Sequence, residues 1–131
     1  MTDTLVLTAE EEAVRQRNIL IGQQNDRFRA TWGADFSIPG RIVMTRSLAE
    51  LPPSAQVQII QSVQTFDNFT EDNDPYLDRV FGAFEIESEG QTVELFWKID
   101  LYDRDYHYGS ETPDDPKQTR RVLTIMRRSE Y

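Results

Sequence analysis

Apolar residues recur along this chain first at helical and later at strand spacing, and the change of period divides it into elements. Val14, Ile21 and Phe28 stand seven residues apart with Leu20 and Trp32 beside them, which predicts a helix with one inward face. Thr8-Ala9-Glu10-Glu11 has the form of a capping box at its start, Glu10, Glu11 and Glu12 suit the positive end of the helix dipole, and Gly33 ends it. The arginines of this helix are expected to point to solvent or to acidic loops. Ile38-Pro39-Gly40-Arg41 reads as a type II turn with glycine at positive φ, and a short β-branched strand, Arg41-Ile42-Val43-Met44-Thr45, follows. Leu51-Pro52-Pro53 halts extension. Pro53 then opens a second helix, to about Asp67, whose apolar stripe is Ile59, Ile60, Val63 and Phe66, with Gln56, Gln58, Gln61 and Gln64 on its wetter face.

Thr70-Glu71-Asp72-Asn73-Asp74-Pro75-Tyr76 is a loop, because its Asp, Asn and Pro residues favour local side-chain bonds over a ladder. From Phe81 the chain alternates, turns at Ser88-Glu89-Gly90-Gln91 and returns as a hairpin. On the returning strand Val93, Leu95, Trp97, Ile99 and Leu101 share the helix-covered face, which leaves Phe96, Lys98 and Asp100 on the other. A polar loop over residues 102–118 leads to Arg121-Val122-Leu123-Thr124-Ile125-Met126, apolar enough to lie inside a sheet. Arg120 and Arg121 fall on opposite faces, and either could approach Asp100. The order α-β-α-β-β-β predicts an α+β fold, a two-layer, mainly antiparallel four-stranded sheet packed on two helices. A length of 131 residues suits a single domain, 1–131, with residues 1–7 as a flexible tail.

Composition removes several chemistries. The chain has no cysteine and one histidine, which excludes disulfides and thiolate zinc and disfavours a histidine-based metal site or triad. There is no signal-peptide pattern and no stretch of membrane-spanning length, so the expected location is cytoplasmic, with no membrane partner. A net charge of -9 opposes direct nucleic-acid binding and favours a basic protein partner. No phosphate-cradling glycine loop, serine elbow or helix-borne HExxH is present, and no cofactor is expected.

The candidate site is the junction where the alternating strand runs into carboxylates, an arginine and tyrosines: Lys98, Asp100, Tyr102, Asp103, Arg104 and Asp105. Glu71, Asp72, Asp74 and Tyr76 complete it if the preceding loop comes alongside. Tyrosines interleaved with carboxylates offer rigid amphipathic area and charge for an arginine-bearing partner, although the same tyrosines could simply pack over the open sheet face. The alternative is a metal-dependent hydrolase using Asp72, Asp74, Asp100 and Asp103 with Lys98. Local spacing is against it: Leu77 and Ala83 occupy the sixth and twelfth positions of a calcium loop opening at Asp72. Phe96 likewise stands where a common nuclease pattern has an acid, two residues before the lysine. His107, between two tyrosines, could shuttle a proton with Asp105 orienting it.

Asn25-Asp26-Arg27-Phe28-Arg29, Ile38-Pro39-Gly40-Arg41, the run from Phe66 to Tyr76, Phe81-Gly82-Ala83-Phe84, Phe96-Trp97-Lys98-Ile99-Asp100 and the closing Arg121 to Met126 together resemble the bacterial family known as domain of unknown function 3768. The resemblance covers nearly the whole chain past residue 18. It implies a bacterial, mainly proteobacterial origin, often on plasmids or other mobile elements, and brings no activity or catalytic residue with it. In that setting a basic partner would be a nucleic-acid-handling or defence component.

Overall fold

The computed structural model describes residues 6–131; residues 1–5 of the expected tail lie outside the described residues. Helix α1 spans Ala9–Ala30, strand β1 Gly40–Met44, the one-turn helix α2 Arg46–Ala49 and helix α3 Pro53–Thr65. Strands β2, β3 and β4 span Phe81–Ser88, Gln91–Tyr102 and Arg120–Arg127, and a 3-10 turn covers Arg128–Glu130. The strands make one sheet in the order β1-β4-β3-β2. β1 runs parallel to β4 and the other two pairs are antiparallel, so the fold is α+β with a mainly antiparallel sheet. Helix α2 is an addition to the expected order, since four residues carry no periodic signal.

The two-residue period of β3 decides the faces of the sheet. Val93, Leu95, Trp97 and Ile99 are buried and share a core with Leu123 and Ile125 of β4. Phe28, Leu48, Ala55, Ile59 and Val63 bring the helices to that same core. Trp97 is its largest fully buried side chain. Phe66 and Phe69 meet the indole edge-on, with centroids 5.5 and 6.2 Å away. Gly82 is its register partner on β2, and a Cβ there would collide with the indole nitrogen.

Local signals mostly hold where the chemistry is local. Thr8 Oγ1 accepts the Glu11 N–H at 3.1 Å, and Glu89 and Gly90 turn the hairpin with φ of 54° and 77°. Gly40 is a correction. It takes no positive φ but opens β1, and glycine is needed because a Cβ would strike the Arg121 carbonyl and stand 2.8 Å from Phe28. The α1 stripe is corrected too: every buried position of the helix falls at or after Ile21, while Val14 and Leu20 stay 45% and 42% exposed. The glutamines of α3 do more than face water. Gln56 donates to the Leu48 and Leu51 carbonyls, Gln64 donates to Ala30 O, and Gln58 reaches the backbone of Glu87.

Candidate functional site

The loop between α3 and β2 is held by its own polar side chains and then fastened to α1. Asn73 Oδ1 accepts the Thr70 N–H, Asp74 N donates to Thr70 O at 2.8 Å, and Asp74 Oδ1 accepts the Arg79 N–H at 2.9 Å. Leu77 and Arg79 sit at φ of 67° and 52°, left-handed conformations that non-glycine residues rarely take. Contacts to α1 hold them there: Asn25 Nδ2 donates to Asp78 O at 2.8 Å, and a Cβ on Gly22 would stand 2.6 Å from Leu77 O.

Asp26 is the hinge of this contact. One carboxylate oxygen pairs with Arg29 and the other with Arg79, each at 2.5 Å. Arg29 is 2% exposed and turned inward, not to solvent or to a loop as expected. Its Nη1 donates to the Val63 and Phe66 carbonyls at the end of α3. The guanidinium stacks over Trp97, and Phe69 lies between Arg29 and Arg79, 5.5 and 4.7 Å from their guanidinium carbons. Burial lowers the pKa of Arg29, and Asp26 opposes that shift.

Between α1 and this loop lies a cleft of about 1000 Å³, lined in part by Arg15, Asp26, Phe69, Glu71, Asp74 and Arg79. Asp74 is 6% exposed, and burial raises its pKa against the pull of the Arg79 N–H. The Asp78 carboxyl is also raised, by burial and then by Asp74. Arg15 pairs with Glu12 at 3.8 Å and Arg79 with Asp26, whereas no ion pair among the described residues reaches Glu71 or Asp74.

The other part of the candidate site lies elsewhere. Lys98 and Asp100 project from the opposite face of β3 to Trp97 and form their own ion pair at 3.1 Å. Neither neighbouring arginine neutralises Asp100. Arg120 donates to the Thr119 carbonyl at 3.0 Å, and Arg121 is buried beneath α1, donating to Asn25 Oδ1 at 2.7 Å and Gln24 Oε1 at 2.8 Å. With no carboxylate beside it, burial lowers the Arg121 pKa to about 10. Asp103 shapes the loop after β3: its Oδ1 accepts the N–H groups of Asp105 and His107, and Arg41 stacks 3.8 Å above Tyr106. Tyr102 pairs with Arg120 in the ladder, and Arg104 and Asp105 are exposed.

Of the ten candidates, then, Glu71 and Asp74 share the cleft, and exposed Tyr76 lines an adjoining groove. Asp72 is exposed on the same loop, and the residues from Lys98 onward stand apart. Among the described residues no three His, Cys, Asp or Glu side chains are placed to hold a metal ion, and no helix is long and apolar enough to cross a membrane. Asp26, Arg29, Arg79 and Arg15 were not singled out from the sequence as site residues. The available signal was the three-residue spacing of Asp26 and Arg29, which puts them side by side on one helix.

A family model described as "Protein of unknown function (DUF3768)" matches residues 44–130, which include the loop wall of the cleft. No curated protein and no solved structure matches the chain.

Proposed function

We propose that this chain, which belongs to the DUF3768 family, is a non-enzymatic binding module that takes an arginine- or lysine-rich segment of a protein partner into the cleft between α1 and the 70–79 loop. One observation carries the reading: the arginines lining the cleft are ion-paired with Glu12 and Asp26, and among the described residues the carboxylates of Glu71 and Asp74 stand in no ion pair. A desolvated carboxylate such as Asp74 is stabilised by any cation brought beside it. A net charge of -9 adds a long-range field that draws basic segments in. A bacterial setting on mobile elements, which the family resemblance implies, together with a cytoplasmic location, fits a nucleic-acid-handling or defence protein as the owner of that segment. The metal-dependent hydrolase draws less support, since Asp72 and Asp74 lie on the loop against α1 and Asp100 on the far face of the sheet.

Fluorescence anisotropy with a labelled arginine-rich peptide and its glutamate-substituted counterpart tests this. Only the basic peptide should bind, about tenfold more weakly in high salt and about tenfold more weakly to Glu71→Lys, a change at an exposed position. Equal affinity for the two peptides, or for the native chain and Glu71→Lys, overturns the reading.

A further inference from the structure

The inward face of α1 continues past the body of the protein. Ile21, Asn25 and Phe28 are buried, and on a helix of about 3.6 residues per turn the same face runs back to Val14, with Leu7 in the extended segment just before the helix. Val14 and Leu7 are 45% and 42% exposed. Pro75, Tyr76 and Leu77 stand beside them, and helix and loop together bound an apolar groove of about 720 Å³. No residue of α1 before Ile21 is fully buried, so the apolar positions of this stretch gain from a cover.

The charges flanking Val14 on the helix say which cover. Glu10 and Arg17 lie on the same side of Val14, each within about 60° of it around the helix and on either side of it along the axis. Glu11 and Asn18 hold the corresponding places on the opposite side. Among the described residues neither Glu10 nor Arg17 has an ion-pair partner within the chain.

We propose that a second copy of the chain occupies this groove, seated antiparallel by the same segment, Ala9 to Leu20. A two-fold axis at Val14 reverses the helix direction and preserves the side. It therefore sets Glu10 beside the partner's Arg17 and Arg17 beside the partner's Glu10, while Asn18 faces the partner's Glu11. A surface complementary to itself in this way is what an isologous dimer requires. A basic helix from another protein would suit Glu10 and Glu11 but would meet Arg15 and Arg17; self-pairing satisfies both signs. The groove meets the polar cleft at Arg15, Pro75 and Leu77, while Ile19, Gln23 and Asp26 line the cleft from a different face of α1.

Sedimentation velocity on the full chain over a concentration series tests the proposal, with far-UV circular dichroism checking that each variant folds. A concentration-dependent dimer is expected, weakened about tenfold by Arg17→Glu or by Glu10→Arg alone. The double variant E10R/R17E, complementary to itself again, should recover to within about threefold of the native dimer. A monomer at every concentration overturns the proposal, as does a dimer indifferent to Arg17→Glu. Failure of the double variant to recover overturns the antiparallel seating.

Discussion

The guanidinium carbon of Arg29 lies 4.6 Å from the centroid of the Trp97 ring, so a buried cation covers the largest side chain of the core. The same group joins three elements: α1 carries it, its Nη1 binds the last carbonyls of α3, and Trp97 belongs to β3. Lysine keeps the charge but has no planar fork to serve carbonyls and carboxylate together. Arg29→Lys is expected to cost about 3 kcal/mol in urea unfolding followed by tryptophan fluorescence. A loss below about 0.5 kcal/mol, the range of ordinary surface changes, would mean that the contacts of Arg29 do not hold these elements together.

Gly82 makes room for that same indole. Gly82→Ala should cost about 2 kcal/mol by overpacking and shift the tryptophan emission, because the added methyl must displace Trp97 or bend β2. An unchanged melting temperature and spectrum would show that the ring has slack.

Two aspartates give stability opposite dependences on pH. The hydroxyl of Ser37, then the guanidinium of Arg27 and the Ser37 N–H, hold the Asp35 carboxyl at about 2. That is below the ordinary value near 3.9, so its contribution is full above about pH 4 and is lost as pH falls towards 2. Burial raises Asp74 instead, so the folded chain holds this proton to higher pH than the unfolded chain, and stability falls as pH rises from about 4 through the raised value. Asp74→Asn keeps an oxygen for the Arg79 N–H and removes the titration. Across a pH series of urea midpoints, Asp74→Asn should therefore gain on the native chain as pH rises, and Asp35→Asn should lose ground. Slopes of equal sign would contradict these assignments.

Asp103 is expected to act on its loop and not on a ligand. Asp103→Ala removes the acceptor for the Asp105 and His107 N–H groups. Amide exchange over residues 104–108 should quicken and stability drop by about 1 kcal/mol, with binding of the arginine-rich peptide unchanged. Loss of peptide binding in a variant that still folds would return Asp103 to the site.

What was legible in the sequence was what periodicity controls. The alternation through Trp97 and Ile99 gave the buried face of β3 and correctly left Lys98 and Asp100 outside. The apolar run from Val122 placed β4 inside the sheet, while nothing in the five residues of β1 said that it would pair with β4 in parallel. Arg29 and Arg121 escaped because arginine normally lies outside, and only tertiary partners, carbonyls at the end of α3 for one and Asn25 with Gln24 for the other, make burial tolerable. The candidate site was divided for a similar reason. Which side of the sheet the 70–79 loop visits is decided by Gly22, Asn25 and Asp26, some fifty residues earlier, and no local pattern encodes that contact.

The side-chain amide of Gln58 both donates to and accepts from the backbone of Glu87 on β2, as a neighbouring strand would. β2 is an outermost strand, and bare outermost strands recruit other chains into runaway ladders. A helix side chain sits where such a recruit would begin, and the charges of Glu85 and Glu87 guard the same stretch. A strand arriving at Glu87 would therefore have to displace Gln58 before it could extend the sheet from that end.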